Sequence, residues 1–284
     1  MPAVDRALAS PVEPPPLSAS RLFPAVGVAL SAVLLFGLYD QPVRPVGYVV
    51  LVVSLVAAGV VDRGLFRDLL LIGIGIVIVS LVSVEADISY GNILVLGTVF
   101  TAAVLVPFLI DRFVYRRRAI RFPWRGGQKW APWEKSYLFS VPLLGWLILP
   151  FYFISSEVYL NWPAVEAPDE IARLFVGVNA VGTWDELFFI CTCYALFLRH
   201  FRPLIANLLQ AVIFVSFLWE LGYQAWGPAL TIPFALLQGF IFTRTKSLTF
   251  VLIVHLLFDL VVFLVIVHAH NPGLIPIFFV PSPS

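Results

Sequence analysis

GTWDELFFICTCYALFLRHF, residues 182–201, is almost wholly apolar yet carries two adjacent carboxylates, Asp185 and Glu186. A run of about 20 apolar residues is what a helix needs to cross a bilayer. An acid at depth in such a helix costs at least about 2.5–3.5 kcal/mol on insertion scales, so intramembrane acids face a cavity or one another. The stretch therefore predicts both a membrane helix and something for its acids to meet.

The rest of the chain supports the first half of that reading. Its 284 residues are 60% hydrophobic and 12% charged, against about 45–50% and about 25% in soluble domains. Nine apolar segments can be marked, at about 22–39, 45–61, 67–84, 92–110, 137–155, 171–198, 204–223, 228–243 and 247–268. The expected fold is an all-α polytopic bundle of about eight to nine transmembrane helices in a lipid bilayer. Residues 1–20 read as a flexible cytoplasmic tail rich in Pro and Ala, without the basic and apolar order of a signal peptide. Residues 21–111 read as N-terminal membrane helices, 112–136 as a basic aromatic cytoplasmic loop, 137–268 as the core, and 269–284 as a C-terminal tail.

With a cytoplasmic N-terminus, every Lys and Arg except Arg44 and Arg173 falls on the inner side of these spans. That bias is the usual orientation signal, so the net charge of +1 carries no suggestion of nucleic acid. The expected location is a cell membrane with an inside-positive bias. Oligomeric state is not legible. Loop 112–136 mixes Arg with Phe, Tyr and Trp, which suits a topology anchor with interfacial aromatics, or a lipid-docking surface. The two cysteines, Cys191 and Cys193, point about 200° apart on a helix and read as small buried hydrophobes.

Five ionisable residues lie well inside the spans: Asp185, Glu186, Glu220, His255 and Asp259. His255 and Asp259 are four apart and share a helix face. At 1.5 Å per residue, Glu186, His255 and Asp259 stand about 20, 12 and 18 Å from the inner ends of their spans, and Glu220 about 24 Å. The first three can meet at one level. Glu220 joins them only if its helix tilts or breaks, which Gly222 could allow.

At these residues the chain resembles the CPBP intramembrane metalloproteases, which include the CAAX-processing type II endopeptidases. WDELFFICTCYALFLRHF is similar to their first signature, EExxxR, and residues 236–263, LLQGFIFTRTKSLTFVLIVHLLFDLVVF, to their last two signature helices, which end in HxxxN or HxxxD. The resemblance covers about residues 170–265. It departs at two places. Ile190 stands where the first motif has arginine, and Leu218 where the middle motif, FxxxH from Phe214, has histidine.

The resemblance implies a divalent metal, usually zinc, activating water for attack on a membrane-anchored or membrane-proximal peptide. Glu186 would be the general base and Asp185 its companion acid. His255 would be a metal ligand, and Asp259 a ligand or hydrogen-bonding group. Glu220 could replace the missing histidine, but two positions along is about 200° around the helix, so only a kink near residues 219–222 would bring it back. A site with one histidine and several carboxylates also suits harder cations than zinc. Two other readings stay open: a catalytically inactive relative that binds or scaffolds membrane partners, and an ion-coupled carrier.

Overall fold

Proline and carboxylates mark where the helices begin. Proline needs no helical N–H partner in the first turn, and it occupies that turn in five helices. Glu134 and Glu170 reach back to accept from the backbone N–H of Ala131 and Ala167. Asp62, Ser89 and Ser247 cap three more helices with side-chain oxygens. The computed structural model describes residues 18–37, 42–124 and 130–283. Residues 1–17 of the expected tail and 125–129 of the basic loop lie outside the described residues.

Among the described residues the fold is helical throughout. We number nine helices: α1 Ala19–Gly37, α2 Arg44–Val61, α3 Arg63–Val79, α4 Tyr90–Val114, α5 Pro132–Ser155, α6 Pro168–Phe197, α7 Pro203–Leu221, α8 Pro228–Thr245 and α9 Leu248–His270. All but α3 and α8 are long and apolar enough by themselves to cross a membrane. The chain is an integral membrane protein. α3 starts at Arg63, earlier than its apolar run suggests, because Asp62 caps it by accepting from Leu65 N at 2.9 Å. The expected C-terminal tail is not loose. Trp146 donates to Ile277 O, and the ring nitrogens of His268 face Ile275 O and Val280 O, each at 2.9 Å.

α1 to α4 form an up-and-down row in which consecutive helices pack together, and α1 also meets α7. α9 packs between α5 and α6, and α7 pairs with α8. The hub is α6. Its residues Glu186–Tyr194 form a π-helix that touches α3, α4, α7, α8 and α9. Long π segments are rare and concentrate at functional sites. Aromatic rings clamp the segment: Trp184 stacks between Phe100 and Phe188, and Phe189 stacks on Phe214.

At the arginine-rich end, Asp68 of α3 is 1% exposed and meets three basic side chains. Arg199 Nε and His200 Nε2 lie 2.8 and 2.7 Å away, and Arg117 completes the set. Arg117 Nε also donates to Asp111 Oδ1 at 2.6 Å. Asp111 Oδ2 accepts from the backbone N–H of Ala119 and Ile120. This network ties the basic loop to α3 and to the turn after α6.

Candidate active site

α6 and α9 bring four of the five intramembrane ionisable residues together. His255 Nδ1 lies 2.7 Å from Glu186 Oε1. On the other side of the ring, Nε2 stands 3.7 Å from both Asp185 Oδ2 and Asp259 Oδ1. All four side chains are at most 7% exposed. The close approach of α6 to α9 depends on Gly182. A Cβ there would overlap Asp259 Oδ2 and come within 3.2 Å of His255 Cδ2. Phe234 meets the imidazole edge-on at 5.0 Å, and Phe214 lies 6.1 Å away.

Gln238 of α8 is the member that sequence reading missed. Its side-chain amide donates to Glu186 Oε1 at 2.6 Å and to Val251 O at 3.3 Å. Oε1 accepts from Gln238 and is placed to accept from His255 Nδ1 as well, which leaves Nε2 facing Asp185 and Asp259. The missing arginine leaves Glu186 in need of a donor, and a fully buried glutamine on a neighbouring helix supplies one. The signal was a lone amide in an otherwise apolar helix turn beside Gly239.

A cavity of about 860 Å³ opens onto the cluster. Asp185, His255 and Asp259 line it, along with Leu218, Tyr223 and Phe234. Glu186 lies behind the imidazole, fully buried. Glu220 is elsewhere. It lines a second cavity with Asn161, Trp219 and Gln224, because α7 stays helical to Leu221 and ends only at Gly222, where φ is +123°. The break comes too late to turn Glu220 inward. Leu218, in the place of the motif histidine, does face the site.

Three carboxylate oxygens of the cluster, Asp185 Oδ1, Glu186 Oε2 and Asp259 Oδ2, are buried without a hydrogen-bond donor. Buried polar atoms are normally satisfied, so the cluster has room in its chemistry for a cation or for water. Among the described residues no three His, Cys, Asp or Glu side chains are closed around one point as a ready-made metal site. The donors around Nε2 must draw in to share an ion.

No curated protein and no solved structure was found to match the chain. Residues 167–261 match the family described as type II CAAX prenyl endopeptidase Rce1-like. That span runs from the start of α6 to Val261 in α9 and contains every residue of the cluster. The part of the chain that builds this site is thus similar to the Rce1-like, CAAX-type endopeptidase family.

Proposed function

We propose that the protein is an intramembrane endopeptidase that hydrolyses membrane-anchored or membrane-proximal peptides at Asp185, His255 and Asp259. The observation that carries this reading is the convergence of those three groups, from two helices, on the wall of a deep cavity. Buried ionisable groups in lipid-spanning helices are costly and rarely kept without a use.

The donor set fits a divalent cation in chemistry: one imidazole nitrogen and two carboxylates, two of whose oxygens lack any donor. His255 Nε2, Asp259 and Asp185 would hold it, and it would supply Lewis-acid polarisation of water and of the peptide carbonyl. Glu186 has a different task here from the general base expected of it. It orients His255 through Nδ1, the support that metal-binding histidines commonly receive from a carboxylate. Gln238 in turn holds Glu186. Asp185 Oδ1 takes the proton from the attacking water and returns it to the leaving amine.

In this reading the N-terminus is cytoplasmic, from the one-sided placement of Lys and Arg, and the membrane is the bacterial inner membrane, from the breadth of the family that the chain resembles. The test is metal content and cleavage of a liposome-embedded reporter peptide by purified protein. Wild type should retain a stoichiometric divalent metal. His255→Ala should lose metal and cleavage, and Asp185→Asn should lose cleavage by at least about 10²-fold. Folded wild type that holds no metal and cleaves nothing would instead support a binding-only relative, the reading favoured by Leu218 at the motif histidine's place in the cavity wall.

A further inference from the structure

The cavity is open at one end and shut at the other. Between the acid–histidine cluster and the arginine-rich face lies a dry layer of Cys191, Ile241, Leu248, Phe250, Val251 and Val254, none more than 1% exposed. The basic loop is fastened across this layer. Leu248 N donates to Pro123 O at 2.8 Å, Thr249 Oγ1 donates to Trp124 O, and Trp130 packs edge-on against Phe250 at 5.0 Å.

In the opposite direction the cavity runs from Asp185 and His255 past Phe100 and Tyr223 to Glu85, Asp87 and Asp169, which are exposed. Asp169 and Asp185 lie on one helix, so the well is about 24 Å deep at 1.5 Å per residue. Its side follows the seam between α4 and α6, where Gly97, Thr101 and Val176 are both part of the wall and exposed.

Charge distinguishes the two ends. Arg63, Arg112, Arg118, Arg199 and Lys246 sit at the sealed end. The mouth has Glu85, Asp87 and Asp169, with Arg173 paired to Asp169. Lys and Arg mark the cytoplasmic side of membrane helices. We infer that the site is served from the non-cytoplasmic face, so that its substrate is a peptide segment at or emerging from the outer side of the membrane. A chain end presented from the cytoplasm meets the dry layer instead. The inference rests on the proposed reading of Asp185, His255 and Asp259 as the reacting groups, and its test needs no hydrolysis.

Full-length protein carrying Cys191→Ala and Cys193→Ala receives one new thiol at a time: Asp87→Cys at the mouth, Thr183→Cys or Thr231→Cys on the inner cavity wall, Arg118→Cys at the basic end. Each is exposed to a membrane-impermeant cationic methanethiosulfonate in right-side-out and inside-out vesicles. We expect the mouth and wall thiols to react only in right-side-out vesicles and the thiol at position 118 only in inside-out ones. Wall thiols that react from the cytoplasmic side, from both sides or from neither overturn the inference, as does a mouth thiol reached only from the cytoplasm. The expected labelling on a protein that cleaves nothing would sink the hydrolase reading and still support the route of access.

Discussion

His255 has a different partner on each edge of its ring, and the division of labour follows from that. Nδ1 is committed to Glu186, and only Nε2 remains for an ion or a reacting atom. Gln238 is the least obvious member, since its single role toward the site is the 2.6 Å bond to Glu186. Gln238→Leu keeps the volume and removes the donor. It should weaken metal retention about 10–100-fold, the usual cost of losing an outer partner of a ligand. The ¹⁵N signals of His255 should report a mixed tautomer while the melting temperature in detergent changes little. Unchanged metal affinity with an unchanged tautomer would show that Glu186 holds the ring unaided.

At the scale of the element, the register of α7 separates two residues that the sequence left in competition. Leu218 lines the site cavity and Glu220 lines the other one. Glu220→Gln should leave metal content as it is, whereas Leu218→His should slow metal loss to a chelator by adding an imidazole to the wall. A loss of metal in Glu220→Gln would place a helix break that the structure lacks. The number of helices and the pairing of α6 with α9 were legible, because an acid or histidine in an apolar run of bilayer length needs a polar partner or a wet cavity at its own depth. The His255–Asp259 spacing was legible for the same reason. What escaped was geometry that periodicity does not encode. The π turn at residues 186–194 shifts the position of the absent arginine relative to Glu186, and no local signal in ELFFICTCY marks an i→i+5 ladder. Gln238 escaped because its partner is 52 residues away.

The whole molecule is held in register at its basic end by charge as well as by apolar packing. Asp68 gathers Arg117, Arg199 and His200 from two other parts of the chain. Asp68→Asn would leave Arg199 uncompensated and Arg117 with Asp111 alone. It should cost about 3 kcal/mol, the low end for breaking a buried pair, since Arg199 is 45% exposed and screened by solvent. Thermal unfolding in detergent measures this, and an unshifted midpoint would assign the ordering of the loop to its aromatics. The layered end that results has an electrical consequence. A well filled with water down to Asp259 carries the outer potential with it, so nearly all of the transmembrane voltage falls across the thin slab from His255 to Lys246. A doubly charged ion settling at Asp259 from outside would then cross almost none of the field, whereas one arriving from the cytoplasm would climb nearly all of it, up to roughly 4.6 kcal/mol per 100 mV of inside-negative potential. Occupancy of such a site from outside is then set by the outer solution and the side chains, and stays the same when the bilayer is depolarised.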